Sequence, residues 1–160
     1  MARYEALLKE FEVSSQTAGG VKPLMQQISD KLHDEMARYN WVGFYFMEAP
    51  AFNALVLGPY SGSFMPTLKI PLEKGLCGAA ASSRQTVVVN DVSRDPRYLG
   101  SDLVKSNIVV PILVNKRVMA ELCIESYFVD TFNSDEQKFV EACAEVVVRR
   151  MQKEAAGQPR

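Results

Sequence analysis

The stretch "YNWVGFYFMEAP", residues 39–50, concentrates large aromatic side chains within six positions: Trp41, Phe44, Tyr45 and Phe46. The chain holds a single Trp and is 9% aromatic, so this use of rings is unusual. Aromatic and β-branched residues favour strands, and successive side chains of a strand point to opposite faces. The stretch therefore predicts a strand that turns Trp41 and Tyr45 to one face. Its other two rings point to the opposite face, so one face can serve the core and the other can line a pocket.

Helical patterns precede this strand and close the chain. Segments 4–11 and 21–39 repeat apolar residues at helical spacing, and "SSQTAGG" at residues 14–20 predicts a break between two helices. Ser134 is followed three residues later by Gln137, the spacing of a capping box. This spacing predicts that a long C-terminal helix begins at Ser134.

Strand patterns fill the middle of the chain, interrupted by one short helix. Residues 53–62, 67–73 and 86–92 each favour a strand, the first of them ending in Gly-Pro and Ser-Gly turns. "GLCGAAASSRQ" at residues 75–85 predicts a short helix, and residues 107–126 predict a hairpin. Adjacent strands with helices at both ends predict an α+β fold, an antiparallel sheet with the N- and C-terminal helices packed on one face. We expect a single domain over residues 1–160, with its core at about 20–152.

Composition narrows the function classes. The 160 residues carry a net charge of −1, and no block of like charge indicates a nucleic-acid or membrane surface. The N-terminus is amphipathic and acidic, unlike a signal peptide, so we expect a cytoplasmic protein. Three scattered cysteines and a single histidine, His33, suit neither a disulfide framework nor a metal site. We expect no metal and no cofactor.

Five linked motifs resemble a known family in their order and spacing. They are "YNWVGFYF", "LVLGPYSG", "KIPLEKGLCGAAA", "TVVVNDV" and "SNIVVPILVNKRVMAELCIES". Together they resemble GAF domains, a fold of small-molecule sensors, and within them the free methionine-(R)-sulfoxide reductase branch. The resemblance covers roughly residues 20–150. It implies a GAF-like fold and a pocket for a small molecule.

The resemblance also implies roles for several residues. Trp41 and Tyr45 match the aromatic wall of the family's pocket, and Cys77 in "GLCGAA" matches its resolving cysteine. In this family a second cysteine attacks the sulfur of the free amino-acid sulfoxide, and acidic side chains hold the ammonium group and the sulfoxide. Cys77 is expected at the start of a helix, where the helix dipole favours a thiolate.

The chain departs from the family at the reacting positions. The place of the attacking cysteine falls at about Gly100, and Asn107 stands where the family has Glu. The family's Asp-x-Asp on the last strand is Cys123-Ile124-Glu125 here, so Glu125 alone keeps the charge. A buried ammonium group with one carboxylate instead of three loses most of its compensation. Without the attacking cysteine and the full set of carboxylates, the family's reaction cannot proceed here by its usual route.

Three functions remain open from the sequence. The preferred one is a ligand-binding GAF sensor or signalling module without enzyme activity, whose ligand is neutral or thiol-bearing. The alternative is a thiol-dependent free methionine-(R)-sulfoxide reductase in which Cys123 attacks, Cys77 resolves, and Glu125 anchors the substrate or donates a proton. Against the alternative, Cys123 also fits a buried core thiol.

The third function is a purely structural dimerisation module. In the binding and reductase functions we expect a small-molecule ligand as partner. In all three we expect neither nucleic acid nor membrane, and a homodimer through the terminal helices. In the binding and reductase functions, the residues expected at the ligand are Trp41, Tyr45, Asn107, Cys123 and Glu125.

Overall fold

The computed structural model describes residues 2–49 and 51–157, which form four α-helices and six strands. In chain order these are α1 Ala2–Thr17, α2 Val21–Glu35, β1 Trp41–Met47, β2 Ala54–Gly62, β3 Lys69–Pro71, α3 Gly75–Ser83, β4 Val87–Val89, β5 Ser106–Val114, β6 Arg117–Ser126 and α4 Ser134–Gly157. A short 3₁₀ turn, Val92–Arg94, follows β4. The predicted order of helices and strands is confirmed.

The six strands form one antiparallel sheet in the order β3-β2-β1-β6-β5-β4. Strand β1 lies between β2 and β6, so Trp41 is opposite Gly62 on one side and Glu125 on the other. Strands β5 and β6 form the predicted hairpin, which brings Asn107 opposite Glu125. This sheet with its helices confirms the α+β class.

The two faces of the sheet carry separate hydrophobic clusters. Helices α1, α2 and α4 pack on one face, where β1 contributes Val42 and Phe44. Helix α3 packs on the other face, where β1 contributes Trp41 and Tyr45. The alternation read from the aromatic stretch therefore holds, and the terminal helices share one face as predicted.

Strand β2 ends at Gly62 as predicted, but its Gly-Pro pair lies within the strand and not in a turn. The pairing of β2 with β1 shifts register between Gly43, which faces Tyr60, and Tyr45, which faces Leu57. The shift leaves the Gly-Pro pair in a bulge, where a proline needs no ladder hydrogen bond. The strand carries Gly62 alongside Trp41.

Helix α4 begins at Ser134 as predicted, but the end of α1 and the cap of α4 differ from the prediction. Helix α1 runs on to Thr17, and the hydroxyls of Ser15 and Thr17 donate to carbonyls of the preceding turn. Helix α4 is capped one residue earlier than expected, since the Asn133 side chain accepts a hydrogen bond from the Glu136 N–H at 2.9 Å. The predicted partner Gln137 donates instead to Glu141.

Helix α4 is the longest helix and buries only one stripe of its surface. Phe139, Val140, Cys143 and Val147 lie on this stripe, against the sheet and α1. Charged residues occupy much of the rest. Within residues 2–49 and 51–157, no helix combines the length and apolar character needed to cross a membrane.

Candidate ligand cavity

A cavity of about 480 Å³ lies on the α3 side of the sheet. Strands β1, β3, β5 and β6, the start of α3, and loops 63–68 and 98–101 form its wall. All six residues singled out from the sequence line it: Trp41, Tyr45, Cys77, Asn107, Cys123 and Glu125. The motifs that are scattered along the chain thus meet at one site.

Two thiols lie together in the cavity wall. Cys77, in the first turn of α3, is 8% exposed, and Cys123, on β6, is 4% exposed. Their side chains pack in the same hydrophobic cluster, and both remain free thiols. This contact, together with burial and the charges of nearby carboxyl groups, raises the pKa of Cys77 well above its usual value. The expected helix-dipole stabilisation of a Cys77 thiolate is therefore wrong for this arrangement, because the thiol contact, burial and the neighbouring carboxyl groups outweigh the dipole.

Glu125 is a largely buried carboxyl group beside the thiols. Its Oε1 accepts hydrogen bonds from Asn107 Nδ2 at 3.2 Å and from the Tyr98 hydroxyl at 3.3 Å. Burial raises the pKa of Glu125 to about 7, and the two hydrogen bonds oppose that shift in part. A carboxyl group with this pKa can both donate and accept a proton near neutral pH.

Aromatic side chains form one wall of the cavity. Trp41 is 1% exposed and stacks on Tyr60 and Phe64, with ring centroids 5.6 and 6.2 Å apart. The Tyr45 hydroxyl donates to the Thr67 carbonyl at 2.9 Å, which fastens loop 63–68 over the site. The two family aromatics thus serve both as core residues and as cavity wall.

The sequence reasoning did not single out two polar groups near the thiols, the hydroxyl of Tyr98 and the carboxyl of Glu121. Tyr98 lies in a connection whose polar composition suggested only solvated turns, yet it lines the cavity and donates to Glu125. Glu121 is 0% exposed, and neither of its carboxyl oxygens has a hydrogen-bond partner of normal geometry among the described residues. The period-two alternation of β6, which places Glu121 on the face of Cys123 and Glu125, is the sequence signal that could have found it.

Gly100, at the position of the family's attacking cysteine, also lines the cavity. The loop that carries that nucleophile in the family therefore borders the site here without a thiol. Within residues 2–49 and 51–157, no group of three or more His, Cys, Asp or Glu side chains is arranged to hold a metal ion. The reactive groups of the cavity are thus the thiols of Cys77 and Cys123 and the carboxyl of Glu125.

Fold and site define a class of protein: a domain with a small-molecule cavity between an antiparallel sheet and a short helix. The GAF domain family matches residues 22–151, and the chain belongs to that family. It is 36% identical over 110 residues to the free methionine-R-sulfoxide reductase of Saccharomyces cerevisiae, covering 68% of this chain and 61% of that enzyme, less than two thirds of its length.

Other relatives extend over more of the chain. The protein YtsP of Bacillus subtilis is 29% identical over 150 residues, covering 92% of this chain and 90% of YtsP. The crystal structure of the free methionine-R-sulfoxide reductase of Neisseria meningitidis with its substrate has a TM-score of 0.89 and 27% identity, covering 96% of this chain and 92% of that one. The chain is thus a GAF domain related to free methionine-R-sulfoxide reductases.

Proposed function

We propose that this chain binds a small organic molecule in the cavity on the α3 side of the sheet. The observation that carries the proposal is a cavity whose lining residues keep hydrogen-bonding capacity that the protein does not use. Trp41 Nε1 and Asn107 Oδ1 are buried and have no partner among the described residues. Buried polar atoms normally have a hydrogen-bond partner, and a bound ligand can supply one.

The charge of the site favours a ligand of low charge. Glu125 is the carboxyl group of the cavity wall, and with a pKa of about 7 it is only partly ionised at neutral pH. The two lysines of the wall, Lys69 and Lys74, are exposed, and Lys69 pairs with Glu48. A neutral or thiol-bearing metabolite suits this site better than a free amino acid, whose ammonium group needs compensation. In this function the domain is a cytoplasmic sensor module.

The contact between Cys77 and Cys123 favours a second candidate, a thiol-dependent reductase of free methionine-(R)-sulfoxide, the activity that the names of two relatives state. The Cys123 thiol takes the oxygen of the sulfoxide, which breaks the S–O bond, forms a sulfenic acid and releases the sulfide. Cys77 then attacks the Cys123 sulfur, an S–S bond forms, and the oxygen leaves as water with both thiol hydrogens. An external dithiol reduces the disulfide. Glu125 relays one of the two thiol hydrogens to the departing oxygen and ends the cycle with its own proton restored.

Turnover of free methionine-(R)-sulfoxide with dithiothreitol as reductant decides between the two candidates. The wild type is compared with Cys77→Ser and Cys123→Ser, and with Cys143→Ala as the control for a cysteine outside the cavity. The binding function predicts no turnover in any folded form. Turnover that Cys123→Ser abolishes and Cys143→Ala retains establishes the reductase.

Thermal melting in a panel of neutral and thiol-bearing metabolites tests the binding function directly. A bound ligand raises the melting temperature by an amount that grows with the logarithm of its concentration relative to Kd. Trp41→Phe keeps a ring but removes the unpartnered N–H, and it should reduce the shift for a ligand that accepts this hydrogen bond. If no metabolite moves the melting temperature, the structural dimerisation function is favoured instead.

A further inference from the structure

Three residues of the cavity wall form one row across the sheet. Trp41 on β1 and Asn107 on β5 each lie opposite Glu125, which stands between them on β6. Side chains that are paired across strands share one face of the sheet, and all three residues line the cavity. Neighbouring strands lie about 4.8 Å apart, so the backbones of Trp41 and Asn107 are roughly 10 Å apart on either side of Glu125.

The two ends of this row carry complementary hydrogen-bonding groups that the protein leaves unused. Trp41 is 1% exposed and Asn107 is 2% exposed. The Asn107 Nδ2 donates to Glu125 Oε1 at 3.2 Å, so Oδ1 is the free end of the carboxamide. Neither this acceptor nor the Trp41 Nε1 donor has a partner among the described residues. The site therefore has an unused N–H at one end and an unused carbonyl oxygen at the other.

Few ligand groups satisfy both ends of the row. An ammonium group only donates hydrogen bonds and a carboxylate only accepts them, so each satisfies one end. A zwitterionic amino acid supplies both groups, but taking its two charges out of water is costly. A neutral secondary amide supplies an N–H and a carbonyl that point in opposite directions across a planar trans group. With its two hydrogen bonds it spans about 8 Å, close to the separation across the row.

The surroundings of the row are apolar on both sides of such an amide. Trp41 and Phe64, whose ring centroids lie 6.2 Å apart, form part of the wall. Met65 and Leu99 also line the cavity, from two different loops, yet they are 79% and 64% exposed. A ligand that covers these two side chains removes apolar surface from water. The site thus suits a neutral polar group with apolar substituents.

We propose that the cavity binds a small neutral secondary amide with apolar substituents, such as an N-acylated amino-acid ester. Its N–H donates to Asn107 Oδ1, and its carbonyl accepts from Trp41 Nε1. This inference rests on the proposed binding function and specifies the class of ligand. The acylated nitrogen carries no charge, so it needs no carboxylate partner in the cavity wall.

Calorimetric titration with three matched probes tests the ligand class. N-acetyl-L-leucine methyl ester is the secondary amide, its N-methyl derivative lacks the N–H, and L-leucine methyl ester carries an ammonium group at pH 6. We expect the secondary amide to bind tightest and each of the other two to bind about threefold to tenfold more weakly, as for one lost hydrogen bond. The same derivatives of methionine and phenylalanine extend the test to longer and aromatic side chains.

Variants of the two end residues test the assigned hydrogen bonds. Asn107→Leu removes the acceptor at similar size, so it should bind the secondary and the tertiary amide equally. Asn107→Asp keeps an acceptor oxygen, so it should retain the preference for the secondary amide and bind the ammonium ester several-fold better than the wild type does. Trp41→Phe should weaken both amides by the same factor, because both keep the carbonyl. Circular dichroism and thermal melting check that each variant folds.

Three outcomes would overturn the inference. A preference for the secondary amide that persists in Asn107→Leu means that the added methyl group is excluded by its size. Tighter binding of the ammonium esters rejects the neutral amide as ligand class. Failure of every amide at millimolar concentration, while another metabolite raises the melting temperature, also rejects it and leaves the binding function standing. If no molecule of any class binds, the binding function fails together with the inference.

Discussion

Glu125 gives the stability of the protein a pH dependence of known sign. Burial raises its folded-state pKa from 4.5 to about 7, so the folded protein holds a proton that the unfolded chain releases. This stabilisation is complete below pH 4.5 and is lost as the pH rises to about 7. We expect Glu125→Gln to remove this loss, which amounts to at most about 1.4 kcal/mol per pH unit.

Urea unfolding at a series of pH values measures the effect of Glu125. The control is the exposed Glu73→Gln, which should leave the pH dependence of the wild type unchanged. Equal slopes for Glu125→Gln and the wild type would show that Glu125 has an ordinary pKa in the folded protein.

The buried carboxyl of Glu121 should lower the free energy of unfolding of the protein. Its carboxyl is fully buried and lacks normal hydrogen-bond partners among the described residues. We expect Glu121→Met to raise the free energy of unfolding by about 1–3 kcal/mol at neutral pH, since apolar replacement of unsatisfied buried groups is often stabilising. Denaturant unfolding measures it, with the exposed Glu5→Met as control. A large loss of stability would mean that Glu121 makes contacts that favour the fold.

At the residue scale, the motifs identified the cavity residues that the family shares. Trp41, Cys77 and Glu125 line one cavity, as their family positions imply. Glu121 was not found because a fully buried carboxyl is rare, although the alternation of β6 places it on the face of Cys123 and Glu125. Tyr98 was missed because its role depends on a loop conformation that local sequence does not specify.

Helix α3 packs so closely against the turn that follows β3 that one of its positions must be glycine. A Cβ at Gly78 would collide with the Leu72 carbonyl, a backbone atom that cannot move aside cheaply. We expect Gly78→Ala to cost about 1–3 kcal/mol and to displace the neighbouring Cys77. Gly157→Ala is the matched control, because a Cβ there meets nothing within 4 Å. Equal stability of the two variants would contradict this close packing.

The cap of α4 offers a second test at the scale of one element. Asn133, rather than Ser134, supplies the side-chain oxygen that accepts from the first turn. We expect Asn133→Ala to lower the free energy of unfolding by about 1 kcal/mol. Ser134→Ala should change it much less. A larger loss in Ser134→Ala would restore the capping box read from the sequence.

At the scale of the molecule, a homodimer through the terminal helices stays a prediction. Much of the apolar surface of α1 and α4 is used within the chain, where Tyr4 stacks on Phe139 with ring centroids 4.4 Å apart. Val13 on α1 remains 60% exposed. We expect Val13→Asp to weaken the dimer in sedimentation velocity, whereas Val129→Asp, at a 46% exposed position between β6 and α4, should not. A monomeric wild type would reject the dimer.

The sequence by itself determined the fold class, the order of helices and strands, and the two faces of β1. These properties follow from local periodicity, because a buried face must recur every second residue in a strand and about every fourth in a helix. It also identified six residues that line one cavity, through motifs whose spacing the family preserves.

Only the tertiary structure decided how those groups act on one another. The contact between Cys77 and Cys123 joins residues from different elements. It raises the pKa of Cys77, which the position at the start of a helix would by itself lower. The raised pKa of Glu125 and the isolation of Glu121 likewise depend on burial. Burial and through-space charge are properties of the packed chain, so no local pattern of residues specifies them.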